Sequence, residues 1–201
     1  MSRDTYHHGD LRSALIEAAA HVAATEGVKA VRMRPLARAV GVSPGAPFRH
    51  FKSVDALLVA VAEEGAARQL AAMQAAVEPG AGAMEQQRQM AVAYVRWCVA
   101  EPGFFRVLSR AESLAGSPRL QAGQAQFIAD LGAAMGGTPG STEHPSLSTT
   151  MVRVLGARAL VYGLARMAVD GLLGADLSAD QAAGIADQVT RAMSFVTKED
   201  R

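Results

Sequence analysis

Cysteine is nearly missing from this sequence. Cys98 stands alone, so no disulfide can form within the chain and no multi-cysteine zinc site can be assembled. Long apolar runs are missing as well: the longest, residues 56–62, is far too short to cross a bilayer. Residues 1–10 are polar and charged, with no apolar stretch behind basic residues. The expectation is a cytoplasmic protein with no membrane partner. No segment alternates apolar and polar residues at the strand period, and no segment repeats. Histidine is scarce in residues 53–201, where His144 is the one example, and Glu143-His144 has no other metal-type ligand nearby. That part of the chain also lacks a Ser/His/Asp set, paired carboxylates, a phosphate loop and metal-ligand spacing, so an enzyme is disfavoured and no metal or cofactor is expected.

What remains is mostly helical pattern. Half of the residues are hydrophobic and alanine is abundant, which favours helix. Leu11, Leu15, Ala18, Ala19 and Val22 recur at helical spacing, and Gly27 follows as a stop, predicting a first helix over about 8–26. A short second helix from about Arg34 puts Leu36, Ala37 and Val40 inward and ends at Gly41. Ser53 is a good N-cap for a long helix that Pro79 and Gly80 end. Residues 90–100 are apolar on every side except Arg96, which predicts a centrally buried helix. Further helices are expected around Phe104 to Leu108, around Phe127 to Leu131, over 148–173 and over 178–197, with a Gly/Pro-rich loop at 136–146. The fold class expected is all-α.

Charge is unevenly spread. Residues 1–52 hold eight basic against four acidic residues, a net of +4, while the remainder has twelve against fifteen, a net of −3. A basic end on an acidic chain points to a polyanion partner for that end. Within it lies "VGVSPGAPFRHFKS", residues 40–53, between two helical patterns. Two short helices joined by a glycine-containing turn describe a helix-turn-helix. Gly41 supplies the tight turn, Ser43 can cap the next helix, and Pro44 fits its first position. That helix is expected from Pro44 to about His50, held down by Phe48 or Phe51. Pro47 fits it awkwardly, because it deletes the first intrahelical hydrogen bond, so an irregular start or a loose first turn is expected. Gly45 and Ala46, almost without side chain, let the helix start approach a groove. Arg34, Arg49, His50 and Lys52 can reach DNA, Arg49 and His50 phosphates more than base edges; the competing reading is ordinary solvated surface. Tyr6, His7 and His8 read as an arm along DNA or as a disordered terminus.

These residues also carry a resemblance. "MRPLARAVGVSPGAPFRHFKSVDALLVAVAE", residues 33–63, resembles the helix-turn-helix of the TetR family of bacterial transcriptional repressors. "YHHGDLRSALIEAAAHVAATEG", residues 6–27, resembles that family's first helix. The resemblance implies a three-helix DNA-binding head over 9–69, with the helix-turn-helix at about 32–51, and an effector-binding and dimerisation body over 70–201. It implies a ligand-responsive regulator: a homodimer that binds a palindromic double-stranded DNA operator as a repressor and is released by a small-molecule effector. Phe48 stands where the family usually has tyrosine, and Val54 where a lysine commonly opens the next helix. These departures keep open a second reading, a dimeric small-molecule binder with impaired DNA contact. "YVRWCVAEPGFFRVL" and "ALVYGLARMAVDGLL", residues 94–108 and 159–173, are similar to a C-terminal domain named for a Trp-His-Gly signature, with Tyr162-Gly163 in place of His-Gly.

Aromatic residues make up only 5% of the chain, so where they gather matters. Tyr94, Trp97, Phe104, Phe105, Phe127 and Tyr162, with Met90, are candidates to line an effector pocket; plain core is the competing reading for each. Cys98 reads as a buried small hydrophobe. The last two helices are the candidate dimer interface. Gly156, Ala159 and Gly163 fall at i, i+3 and i+7, and Ile185, Val189 and Met193 form a stripe on the closing helix.

Overall fold

The computed structural model describes residues 8–110, 115–134 and 149–196, and among them every regular element is helical. There are eight α-helices in the described residues: α1 His8–Thr25, α2 Met33–Ala39, α3 Val54–Ala75, α4 Ala83–Ala100, α5 Pro102–Leu108, α6 Pro118–Ala134, α7 Thr149–Val169 and α8 Ala179–Val196. Two 3₁₀ turns, Val28–Ala30 and Ala46–Arg49, lie between α1 and α2 and between α2 and α3. Residues 1–7, the segment 136–146 with Glu143 and His144, and the side chains of His8 and Met193 lie outside what is described. No helix among the described residues is long and apolar enough to cross a membrane.

By contacts the chain forms two compact units, and the chain order does not separate them. The first takes Met1–Ala67 and Glu101–Gln121; the second takes Arg68–Ala100 and Ala122–Arg201. The first core is built from Leu15, Ile16, Val31, Leu36, Phe51, Leu57 and Val61, all buried. It also includes α5, for a steric reason. Gly103 lies so close to α1 that a Cβ there would meet the Ala20 carbonyl oxygen at 1.9 Å. Arg106, on the same short helix, donates to the carbonyls of Ala23 and Ala24 in the last turn of α1. Those carbonyls sit where a helix runs out of its own N–H donors, so a side-chain donor there satisfies groups that would otherwise go unpaired. Phe104 packs against Gly65 of α3, where a Cβ would stand 3.1 Å from its own Cβ. Ser117, buried just before α6, donates to Glu63 at 2.6 Å and accepts from the Leu120 N–H at 3.2 Å, capping α6.

In the second unit α4 packs against both α7 and α8, and α7 against α8. Ala93, Val95, Trp97 and Cys98 are its buried residues, whereas Met90, Val92 and Tyr94 are only half-buried. Among residues 90–100 only Arg96 and Ala100 are exposed, so the burial expected there is complete at four positions and partial at the other five. Arg88 ties α4 to α8, pairing with Glu85 on its own helix and with Asp187 across. At the start of α8 the Ser178 hydroxyl accepts from the Gln181 N–H at 3.2 Å, while Gln181 Oε1 accepts from the Ser178 N–H at 2.9 Å. That reciprocal pair is a capping box, which Ser178-Ala-Asp-Gln181 encodes locally.

Candidate nucleic-acid interface

The turn after α2 is built by glycine. Gly41 has φ +74°, a left-handed conformation that costs other residues a Cβ clash. With it there, Val42 N–H donates to the Ala37 carbonyl at 2.9 Å and Gly41 N–H to that of Arg38 at 3.2 Å. These two bonds are the Schellman closure of a helix, and they turn the chain sharply out of α2.

The segment that follows corrects the sequence expectation of an α-helix from Pro44 to about His50. It is a 3₁₀ turn, Ala46–Arg49. Pro47 supplies the reason: it has no N–H to give the Ser43 carbonyl, and Ala46 N–H takes that acceptor instead at 3.0 Å. Phe48 then bonds back to Gly45 at 3.3 Å, and Phe51 to Pro47 at 2.9 Å. The irregular start foreseen from Pro47 is the form the turn takes. Ser43 contributes its carbonyl rather than its hydroxyl. The anchor is Phe51, 4% exposed with the Arg12 guanidinium 5.4 Å from its ring centroid, together with the buried Pro47 ring. Burying a phenylalanine of this kind stabilises by roughly 1.5–3 kcal/mol. Phe48 takes the opposite role, 52% exposed at the tip of the turn. Ser53 then caps α3, accepting from the Ala56 N–H at 3.1 Å.

On this scaffold the candidate DNA-contacting residues come to one stretch of surface chain. Arg34, Ser43, Pro44, Gly45, Phe48, Arg49 and Lys52 are exposed, and Ala46 and His50 are half-buried. A Cβ at Gly45 would meet nothing within 4 Å. Arg34, Arg49 and Lys52 pair with no carboxylate among the described residues. Arg38 is a further candidate that the sequence reading left out; it is exposed, unpaired in the same sense, and at i+4 from Arg34. That spacing, which puts two cations on one helix face, was the available signal. A cavity of about 530 Å³ in the same unit is lined by Glu17, His21, Val22, Glu26, Pro35 and Leu36. With Glu17 and Glu26 in its wall it is a poorer candidate for a polyanion than the basic surface.

The candidate effector residues divide between the units. Phe104 and Phe105 are fully buried in the first, while Met90, Tyr94, Trp97, Phe127 and Tyr162 belong to the second. Cys98 is buried, and burial pushes its thiol well above the ordinary range, so it stays protonated. The dimer-interface candidates on α7 are surface residues. Gly156 and Ala159 are exposed, Gly163 is half-buried, and a Cβ at either glycine would meet nothing within 4 Å. On α8, Ile185 and Val189 are half-buried. No three His, Cys, Asp or Glu residues among those described are grouped to hold a metal.

The sequence matches the family of bacterial regulatory proteins, tetR family, over residues 15–61. It also matches the tetracyclin repressor-like C-terminal domain over residues 87–193, more than half of the chain. The chain belongs to the TetR family, and with it to the DNA-binding regulators of transcription. No curated protein matches it. Among solved structures it is similar to a protein of unknown function from Rhodococcus sp. RHA1, at 26% identity over 94% of this chain and 97% of that one, with a TM-score of 0.65. A bacterial regulatory protein in the tetR family from Rhodococcus RHA1 is 25% identical over 90% of this chain and 94% of its own, with a TM-score of 0.66. A TetR-like transcriptional regulator from Rhodococcus sp. RHA1, 20% identical over 96% and 98% with a TM-score of 0.67, shares the fold.

Proposed function

We propose that this protein is a cytoplasmic, ligand-responsive repressor that binds a palindromic operator as a homodimer and leaves it when a small molecule occupies its C-terminal part. In this reading residues 9–69 act on DNA, and residues 70–201 bind the effector and pair the protomers. The observation that carries it is the group of exposed cations without carboxylate partners among the described residues, Arg34, Arg38, Arg49 and Lys52, flanking the exposed Phe48 within the family-matched head. Unpaired surface cations close together attract a polyanion and release its counter-ions on contact, the main source of affinity for duplex DNA.

Pairing is supported by an apolar stripe on α7 that is exposed among the described residues. Val152, Leu155, Tyr162 and Met167 are large and exposed, and Gly156 and Ala159 lie between them at helical spacing. The inward stripe of the same helix, Val154, Ala165 and Ala168, is already buried, so the outer one needs a second surface. A two-fold arrangement of α7 and α8 covers it with its own copy. Footprinting on the region upstream of the protein's own gene tests the function. A protected, roughly symmetric site at low salt is expected, with half-sites about 10 bp or a multiple apart. No protected site at low salt overturns the repressor reading and leaves the dimeric small-molecule binder.

A further inference from the structure

The second unit carries three arginines near its aromatic residues, and the structure separates them. Arg96 pairs with Asp180 at 3.0 Å, and Arg166 with Asp170 at 2.7 Å, so each already has a carboxylate. Arg158 has none among the described residues. Its partner is an amide: with Gln124 turned so that its oxygen faces the cation, that oxygen accepts from Nη2 at 2.9 Å and from Nη1 at 3.3 Å. A dipole bonds the guanidinium but does not neutralise it.

Arg158 is also in an unusual place for a charge. It is half-buried on the inward side of α7, at i+4 from the buried Val154 and i−7 from the buried Ala165. Tyr94 of α4 is close enough to feel Arg158, Tyr162 and the Cys98 thiol. Burial drives both the Tyr94 phenol and the Cys98 thiol upward, so both are neutral at physiological pH. Tyr94, Cys98 and Gln124 bring no charge to balance the guanidinium. A partly desolvated cation without a counter-ion is costly, and an incoming anion removes that cost.

We propose that Arg158 anchors the effector, and that the effector is a mostly apolar carboxylic acid whose carboxylate meets the guanidinium while its body lies against the aromatic side chains of α4. The inference rests on the effector-binding reading above and names its ligand class. A carboxylate matches the planar, two-pronged donor set of arginine. A phosphate monoester, with close to two charges, would leave one uncompensated here.

The reporter is built in. Trp97 is the only tryptophan of the chain, buried on α4 three residues after Tyr94. The full-length protein is titrated with octanoate, laurate, phenylacetate and hydrocinnamate, and with the primary amide of each, while Trp97 fluorescence is followed. At least one acid is expected to saturate, with its amide about 10- to 100-fold weaker, the usual range for losing a charged hydrogen-bonded pair. Arg158→Gln is expected to weaken the acid by the same factor and leave the amide unchanged, and Arg158→Lys to recover part of the loss. Circular dichroism and an operator mobility shift on unliganded Arg158→Gln keep folding and DNA binding separate from the readout. If that variant fails to fold, the comparison of acid with amide on the unaltered protein decides alone. No saturable acid, equal binding of acid and amide, or an acid preference that survives in folded Arg158→Gln overturns the assignment. Absence of an operator shift with the unaltered protein would instead count against the regulator reading.

Discussion

A methyl group added at Gly103 would lie 1.9 Å from the Ala20 carbonyl oxygen, and that oxygen is backbone, with little room to move. Gly103→Ala should therefore push α5 off α1 and destabilise the protein by about 1–3 kcal/mol or more, the cost of overpacking. Denaturant unfolding measures it, and unchanged stability would show that α5 does not sit that close. Phe48 and Phe51 give a sharper pair. Phe51→Ala empties a buried site and should cost about 3–5 kcal/mol. Phe48→Ala removes an exposed ring and should change stability by about 0.5 kcal/mol at most, while weakening operator binding. Phe48→Tyr restores the hydroxyl that the family usually carries, and tighter binding with unchanged sequence preference is expected in a mobility shift. A weaker complex would mean that the ring packs where a hydroxyl is unwelcome.

At the scale of elements, Arg88 holds α4 to α8 through Glu85 and Asp187. The Arg88 hydrogen bond holds the Glu85 carboxyl below its ordinary value. A lowered carboxyl stabilises the fold above the unfolded-state value, and that contribution is lost as pH falls through the folded one. Arg88→Met should thus lower the melting temperature at neutral pH, and the gap between variant and parent should narrow in acid. A gap independent of pH would remove the ion pair from the explanation. Much at this scale was legible in the sequence because it is local. Gly41 ending α2 and Ser53 starting α3 are choices made within four residues. Pro47 signalled an irregular turn, but not that Ala46 would take the Ser43 carbonyl and make it 3₁₀. Contacts between residues far apart in the chain were illegible: Gly103 with Ala20, Arg106 with the end of α1, and Glu63 with Ser117 have no signature in either partner alone. For the same reason composition grouped Phe104 and Phe105 with Tyr94 and Trp97, while packing puts them in different units. The exposed cations of the candidate DNA surface were readable, since charge excludes them from a core.

For the whole molecule, the question is what covers the outer stripe of α7. Gly163→Leu places a bulky side chain where Gly163 now leaves open space. If two protomers meet there, sedimentation should show a shift toward monomer, and operator binding should fall as the coupling of half-sites is lost. A variant that stays dimeric and operator-competent would place the interface elsewhere. The central claim, that the basic head binds DNA specifically, is tested most directly by the salt dependence of operator affinity, measured by fluorescence anisotropy on a labelled duplex from the protein's own upstream region. Saturation at two protomers per duplex is expected, with log affinity falling linearly against log salt and preference over a scrambled duplex. Arg49→Ala should reduce the magnitude of that slope by about 1, the signature of one lost phosphate contact. Failure to bind at low salt, or equal affinity for the scrambled duplex, would contradict the account.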